Sequence, residues 1–193
     1  MSYSCPSWTP TSTSYLKTEQ ESLEKAQLRK IHSLVCHANI RPTDHVLDIG
    51  GGWGGLAIEA AKITGCRVTV VTLSVVQKEW AERRIREEGL EEKIQYVLCD
   101  YREIPRVEGG YDKIVSIEML EHVGRKYMEG FFGQINKLVK KDGGRIVIQG
   151  ITVINEVSFR STLFCISPYS TSPLNLFIFR INGPSALPSR HFM

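Results

Sequence analysis

The sequence predicts an α/β domain in which helices flank a mostly parallel sheet. First, apolar strand-like runs alternate with helix-like runs from residue 45 to about residue 151. Second, a glycine-rich turn at residues 50–55 separates the first strand-like run from the next helix-like run. Strands that alternate with helices form βαβ units, and parallel sheets of this kind bind ligands at the carboxyl ends of their strands. These observations favour a Rossmann-like fold.

The elements follow one another at regular intervals. Residues 18–38 carry a helical period, and Thr18 and Glu21 are spaced as a capping box. Five strands are evident, at residues 45–49, 67–71, 94–98, 113–117 and 145–151. The later helices are predicted at residues 53–64, 76–88 and 127–140, with glycine turns between the elements.

Three segments differ in composition. Residues 1–17 are rich in Ser, Thr and Pro, and residues 18–152 hold the alternating pattern. In residues 153–193 the alternation stops and the Ser and Pro content rises, although residues 163–166 and 174–181 have the character of short strands. We expect a divergent, irregular tail, so that the final strands of the sheet are missing or replaced. A sheet that ends at a fifth parallel strand would leave an apolar edge exposed, which is a liability for aggregation. Either the tail covers this edge or the chain is a shortened product, and the second alternative is favoured.

Length and charge restrict the classes of function. A chain of 193 residues can build one α/β domain with a sizeable core, and a net charge of +3 without a basic stripe argues against nucleic-acid binding. The five cysteines lack metal-ligand spacing, which favours reduced thiols, a cytoplasmic location and no metal site. No signal peptide or membrane-length apolar run is evident.

The glycine turn is the main indication of a ligand. Gly50 and Gly52 follow Asp48 directly after the first strand, so backbone N–H groups and a carboxylate lie where a cofactor can approach. Together with Gly55 they also match a dinucleotide fingerprint, which needs an acid about 20 residues further on. The second strand ends in Thr72-Leu73-Ser74, without that acid. A pocket for S-adenosylmethionine is therefore favoured over one for NAD, and a glycine turn without a ligand is the alternative.

Neighbouring strand ends should contribute to the same pocket. Thr72, Leu73 and Gln77 are placed to meet ribose hydroxyls, and Asp100 and Tyr101 suit an adenine. The alternatives are a solvated helix residue for Gln77 and a turn cap for Asp100. Thr72 and Leu73 follow the second predicted strand, with Gln77 one turn into the next helix, and Asp100 and Tyr101 follow the third predicted strand.

The segment after the fourth strand holds the candidate catalytic residues. Glu121 can stabilise a developing cation or orient a proton acceptor, and His122 can act as a base. A helix start also favours an acid, and a histidine beside it can serve as a structural hydrogen bonder. Both interpretations remain open from the residues alone.

With these motifs in order, residues 1 to about 152 resemble the cyclopropane-fatty-acyl-phospholipid synthase family of class I methyltransferases. The resemblance is carried by Tyr3-Ser4-Cys5, residues 46–54, residues 71–74 with Gln77, Asp100-Tyr101 and residues 118–124. It implies that Tyr3 and Ser4 close over S-adenosylmethionine. It further implies that the loop with Gly50, Gly52 and Gly54 holds the methionine part. We expect Ile117 to line the same pocket.

The resemblance also implies a reaction. A methyl group would pass to a cis double bond of a phospholipid acyl chain, and loss of a proton would close a cyclopropane ring. A bicarbonate ion near Cys5 would take this proton, with Glu121 serving as the base. The implied partners are the acyl chain and a peripheral membrane contact.

Two departures from the family leave other functions open. Gln149 stands where bacterial members have a histidine thought to hold the bicarbonate, and residues 153–193 match none of the family's later segments. A small-molecule N-methyltransferase of the plant alkaloid type is one alternative. A non-catalytic, truncated cofactor-binding fragment is the other.

Overall fold

The computed structural model describes residues 4–7, 21–151, 165–166 and 174–182. The helices are α1 (Leu23–Ala38), α2 (Gly55–Thr64), α3 (Val75–Glu87), α4 (Leu120–Val123) and α5 (Met128–Leu138). The strands are β1 (His45–Ile49), β2 (Arg67–Thr72), β3 (Ile94–Leu98), β4 (Lys113–Ile117), β5 (Asp142–Ile151), β6 (Cys165–Ile166) and β7 (Leu174–Asn182). Two short 3-10 helices, Tyr101–Glu103 and Arg125–Tyr127, follow β3 and α4.

All of these strands form one sheet in the order β3-β2-β1-β4-β5-β7-β6. The first five strands pair in parallel, and β7 pairs antiparallel with both β5 and β6. The chain runs outward from β1 through β2 to β3 and then crosses back to β4 on the other side of β1. This reversal creates a crevice at the carboxyl ends of β1 and β4, where ligands bind in open α/β sheets.

Apolar side chains cover both faces of the sheet, as expected for buried parallel strands. One cluster packs α1, α2 and α3 against Val46, Val70 and Tyr96, and the other packs α5 against Leu47, Ile114 and Ile148. Val46 and Leu47 belong to opposite clusters because successive side chains of a strand point to opposite faces. The hydroxyl of Ser116, on β4, donates to the carbonyl of Ile49, on β1, at 3.1 Å and ties the two strand ends together.

The five parallel strands confirm the predicted fold class, and β1, β3 and β4 have the predicted bounds. The prediction for the first helix was wrong at its start. Helix α1 begins at Leu23, and its N-cap is Ser22, whose hydroxyl accepts from the Lys25 N–H at 3.3 Å. Glu21 lies outside the helix and accepts a hydrogen bond from Arg29 Nη1 at 2.7 Å, so it is not part of a capping box.

The structure also differs from the expectation of an irregular tail. The backbone of β7, Leu174–Asn182, pairs with β5 from Ile151 back to Asp142. The backbone of β6, Cys165–Ile166, pairs in turn with the outer side of β7. Strand β7 thus covers the edge of β5 that the sequence pattern left bare. The N–H and C=O groups of β5 drive this pairing, because an edge strand of this length is a template for another strand.

None of the helices in the described part of the chain combines the length and the apolar character that a membrane span requires.

Candidate active site

A cavity of about 1220 Å³ opens at the carboxyl ends of the parallel strands. Its wall includes residues from the ends of β1, β2, β3 and β4, from α1 and from the amino-terminal segment. Of the residues that the sequence nominates, the wall contains Ser4, Asp48, Gly50, Gly52, Thr72, Leu73, Gln77, Asp100, Tyr101, Ile117 and His122. The volume exceeds what a drug-sized ligand needs, so it can accommodate a nucleoside cofactor with part of a second substrate.

The loop after β1 supplies bare backbone to this cavity. The N–H groups of Gly50 and Gly51 both donate to the carbonyl of Val71, at 2.9 and 3.2 Å, which fixes the loop to the end of β2. Gly52 has a φ of +53°, and a Cβ there would meet only open space, since the nearest atom would be the Gly50 oxygen at 3.9 Å. Gly54 is different, because a Cβ would lie 2.8 Å from the Tyr96 hydroxyl. Gly54 therefore packs closely against β3, and it is not among the residues of the cavity wall.

Asp48 lies beneath the loop and is 1 % exposed. A Cβ at Gly51 would lie 2.6 Å from its Oδ2, and this oxygen has no hydrogen-bond partner among the described residues. Burial raises the pKa of Asp48 to about 7. A carboxyl group with a pKa near 7, whose Oδ2 has no partner among the described residues, is suited to respond to a cationic ligand.

The end of β2 places a small polar network on the wall. The buried Thr72 hydroxyl donates to Gln77 Oε1 at 2.8 Å and accepts from the Ser74 N–H at 3.2 Å. Gln77 is therefore a half-buried residue in the first turn of α3 that is bonded to Thr72. Leu73, between them in the chain, is 69 % exposed beside the cavity.

The end of β3 contributes an acid and an aromatic ring. Asp100 accepts from the Arg102 N–H and Nε through Oδ1, at 2.9 and 2.8 Å, and from Nη2 through Oδ2, at 2.7 Å. It caps the 3-10 turn, and these hydrogen bonds hold the pKa of its carboxyl below the usual range. Tyr101 also lines the cavity and packs edge-on against Phe131, with ring centroids 5.3 Å apart.

The amino-terminal segment, residues 4–7, docks against α1. Gln27 Nε2 donates to the Ser4 carbonyl at 2.6 Å, and the Ser7 N–H donates to the Ala26 carbonyl at 3.3 Å. Lys30 Nζ contacts the Ser4 hydroxyl and donates to the Cys5 carbonyl at 3.0 Å. Ser4 thereby reaches the cavity wall, whereas Tyr3 lies outside the described residues.

The candidate catalytic residues occupy different positions around the end of β4. His122 is exposed and lines the cavity, while Glu121 is exposed outside the cavity wall, with its carboxylate beside Gly150. A Cβ at Gly150 would lie 3.5 Å from Glu121 Oε1. Cys5 is exposed and Gln149 is buried, and neither is part of the wall.

Sequence reasoning assigned no role to Glu118 and did not consider Lys30. Glu118 lines the cavity and accepts from the Cys5 N–H at 2.8 Å and from Gln149 Nε2 at 2.9 Å. Lys30 is 4 % exposed, and burial lowers its pKa to about 8, against the opposing effect of Glu118. A signal for Lys30 exists in the sequence, because it stands between Ala26 and Leu34 on the apolar stripe of α1.

The sequence matches one known protein family and several curated proteins. The model of the mycolic acid cyclopropane synthetase family matches residues 1–165. Sphingolipid C9-methyltransferase A from Emericella nidulans is 42% identical over 127 residues, which cover 65% of this chain and 24% of that protein. Tuberculostearic acid methyltransferase UfaA1 from Mycobacterium tuberculosis is 40% identical over 153 residues, which cover 79% of this chain and 34% of that protein. The chain thus spans about a quarter to a third of these curated relatives.

Solved structures show the same fold. The cyclopropane synthase MmaA2 from Mycobacterium tuberculosis superposes with a TM-score of 0.68 at 27% identity, over 80% of this chain and 50% of that chain. Coclaurine N-methyltransferase bound to N-methylheliamine and S-adenosylhomocysteine superposes with a TM-score of 0.64 at 30% identity, over 77% of this chain and 41% of that chain. The cofactor product in the second structure supports the sequence prediction of S-adenosylmethionine.

Proposed function

Because the chain belongs to the mycolic acid cyclopropane synthetase family, we propose that it catalyses methyl transfer from S-adenosylmethionine to an unsaturated lipid. The finer proposal is transfer to the cis double bond of a phospholipid acyl chain with formation of a cyclopropane ring. When bound, S-adenosylmethionine supplies an electrophilic methyl group on a sulfonium. The chain's own residues position the acceptor, exclude water and place negative charge near the carbon that becomes cationic.

The observation that carries this proposal is that one cavity collects most of the residues assigned to the cofactor together with His122, from the segment after β4. Asp48 and the glycine loop with Gly50 and Gly52 are assigned to the methionine part of the cofactor, with the packing of Gly54 shaping the loop. Thr72, Leu73 and Gln77 are assigned to the ribose, Asp100 and Tyr101 to the adenine, and Ile117 to the wall between the two regions. Cys5, Glu121, His122 and Gln149 are assigned to the surroundings of the acceptor carbon, on either side of the end of β4.

Lipid as the acceptor class is supported by the names of the curated relatives, which are fatty acid and sphingolipid methyltransferases. A peripheral contact with the membrane belongs to the proposal. It is supported by Leu73, Val75 and Val76, which are 69, 52 and 64 % exposed at one rim of the cavity and its flanking helix. Apolar side chains at such a rim can enter the acyl boundary of a bilayer.

The test is transfer of a labelled methyl group from S-adenosylmethionine to lipid vesicles. Vesicles of phospholipid with cis-unsaturated chains are compared with vesicles of fully saturated phospholipid and with unsaturated sphingolipid. Label in the first set alone, on a product with one added carbon and no double bond, supports cyclopropanation. Label in the sphingolipid alone retains lipid methylation and contradicts the phospholipid assignment.

A small-molecule N-methyltransferase is the second candidate, and the similarity to coclaurine N-methyltransferase favours it. The two candidates differ in the acceptor atom. N-methylation of coclaurine by this chain, without label in any vesicle, would establish the second candidate and contradict the first.

The remaining candidate, a cofactor-binding fragment without catalytic activity, is tested with the same protein. Binding of S-adenosylhomocysteine is measured by calorimetry, together with its effect on thermal unfolding. Saturable binding with no methyl transfer to any acceptor would indicate a binding module. A folded chain that does not bind S-adenosylhomocysteine would contradict every proposal that depends on S-adenosylmethionine.

A further inference from the structure

Glu118 has a backbone conformation that a non-glycine residue adopts at a cost. It follows β4 directly and has a φ of +50°. Its N–H donates to the Gln149 carbonyl at 2.7 Å, which holds this conformation in place. Backbone strain of this kind persists at a position only where the surrounding structure imposes it, and such positions cluster at functional sites. The strained backbone therefore indicates a functional role for the Glu118 side chain.

The Glu118 carboxylate is surrounded by groups that favour an anion. Its Oε1 accepts from the Cys5 N–H and from Gln149 Nε2, and both distances are below 3.0 Å. Gln149 is 3 % exposed and Lys30 is 4 % exposed, so the half-buried Glu118 carboxylate has two buried polar neighbours. The charge of Glu118 also acts on the buried Lys30 ammonium. Charge-assisted hydrogen bonds of this kind are about twice as strong as neutral ones.

A bicarbonate ion does not fit these residues. The family resemblance assigns that ion to the vicinity of Cys5 and of the residue at position 149. Here the Cys5 N–H and the Gln149 amide N–H both bond to Glu118 Oε1. The other side-chain atom of Gln149 is an oxygen, which repels an anion, and a second negative charge would lie beside the carboxylate.

We propose that the Glu118 carboxylate takes the place of bicarbonate as the anion and proton acceptor of this site. The inference rests on the proposed methyl transfer to an alkene. In that reaction the methyl–sulfur bond breaks, and the alkene π pair forms the new carbon–carbon bond. The resulting carbocation loses a proton to the Glu118 carboxylate. The electron pair of the broken C–H bond then closes the ring or forms a new double bond, so the step needs no further reagent.

The test compares the wild-type chain with Glu118→Gly. Glycine accepts a φ of +50° without strain, so this variant is expected to fold, and the space of the Glu118 carboxylate becomes free for another anion. Binding of ¹³C-labelled bicarbonate is measured by NMR and calorimetry in the presence of S-adenosylhomocysteine. We expect saturable binding to Glu118→Gly and none to the wild type. Saturable binding to the wild type would overturn the proposal whether or not the variant folds.

Turnover provides the second arm. In buffer stripped of carbon dioxide, we expect unchanged lipid methylation by the wild type and a loss of roughly 100-fold or more in Glu118→Gly. Added bicarbonate or formate should restore at least part of the variant's activity, which a purely structural role would not allow. Glu129→Gln, an exposed acid on α5 outside the cavity wall, is the matched control.

The two arms separate this inference from the proposed function. If the wild type methylates no lipid, the proposed function fails, and the binding arm still decides whether Glu118 occupies the anion's place. If the wild type methylates lipid only when bicarbonate is present, the proposed function stands and the role of Glu118 is wrong.

Discussion

Gly52 and Gly54 share a positive φ, of +53° and +81°, but differ in their surroundings. The space beside Gly52 is open, whereas a Cβ at Gly54 would meet the Tyr96 hydroxyl at 2.8 Å and the Ala81 Cβ at 3.2 Å. The same residue type therefore serves two purposes in one loop. At Gly52 it keeps a wall of backbone accessible, and at Gly54 it allows α2 to begin close to β3 and α3.

Alanine at each glycine separates these purposes. Gly52→Ala should cost about 1 kcal/mol of stability from backbone strain, while its new methyl group hinders the approach of the cofactor. Gly54→Ala has the same strain and an added clash, so it should cost about 2–4 kcal/mol. Chemical denaturation gives the stabilities, and calorimetry with S-adenosylhomocysteine gives the affinities. Equal stability losses in the two variants would contradict the packing role of Gly54.

Asp48 gives a prediction for the dependence of stability on pH. Its pKa is about 7 in the folded chain and 3.8 in an unperturbed aspartate, so between these values the folded state retains a proton that the unfolded state has lost. Stability from this group is therefore present at pH 4 and decreases as the pH rises to 7. Asp48→Asn should remove a penalty on the order of 1–4 kcal/mol at pH 8.

The measurement is the free energy of unfolding of both proteins from pH 4 to pH 8. The difference between Asp48→Asn and the wild type should grow in favour of the variant with rising pH. A constant difference across this range would show that Asp48 is ionised in the folded chain.

At the scale of elements, α1 is the surface to which the amino-terminal segment is attached. Gln27, Arg29 and Lys30 all donate to carbonyls of residues 4–7, and only Lys30 is fully buried. A lysine on the apolar stripe of a helix is costly unless its ammonium has partners. Its hydrogen bonds to Ser4 and Cys5 supply these partners and hold the segment at the cavity.

Lys30→Met tests this attachment. The methionine keeps most of the apolar volume and removes the buried charge, so we expect the fold to be retained. The N–H groups of Cys5 and Ser7 should exchange faster with solvent, and the affinity for S-adenosylhomocysteine should fall roughly tenfold. Lys25→Met, at an exposed position on the same helix, is the control. Unchanged hydrogen exchange at residues 4–7 in Lys30→Met would refute the attachment.

At the scale of the whole molecule, the sheet is completed by residues that the sequence pattern placed outside it. Strand β7 lies between β5 and β6, and the backbone at Ile178 is paired with Val147 on one side and Cys165 on the other. Proline cannot donate a backbone hydrogen bond and is excluded from the interior of a sheet. Ile178→Pro should therefore destabilise the chain by at least about 2 kcal/mol and expose the edge of β5.

Thermal unfolding and size-exclusion chromatography check this prediction. The control is Val75→Pro, because position 75 is the first residue of α3, where the missing N–H has no helical partner. A wild-type melting temperature and elution volume for Ile178→Pro would indicate that the pairing of β7 does not contribute to stability.

The sequence by itself determined the five parallel strands, the order of their connections and the position of the glycine turn. These features depend on local patterns, namely apolar periodicity and turn residues, which are readable within about 10 residues. The same patterns placed Asp48, Thr72, Asp100 and Ile117 at strand ends and Gln77 in the first turn of the following helix, and the topology then brought them to one cavity. A carboxylate at a strand end is recognisable without coordinates because parallel strands share their carboxyl edge.

Only the tertiary structure decided which acid of the segment after β4 reaches the cavity. Glu118 and Glu121 are three positions apart in the chain, and the left-handed backbone at Glu118 turns its side chain toward Cys5 and Gln149. Likewise, the pairing of β7 with β5 joins residues far apart in the chain. Both outcomes depend on long-range contacts, whose geometry is set by the packing of the sheet and not by the neighbouring sequence.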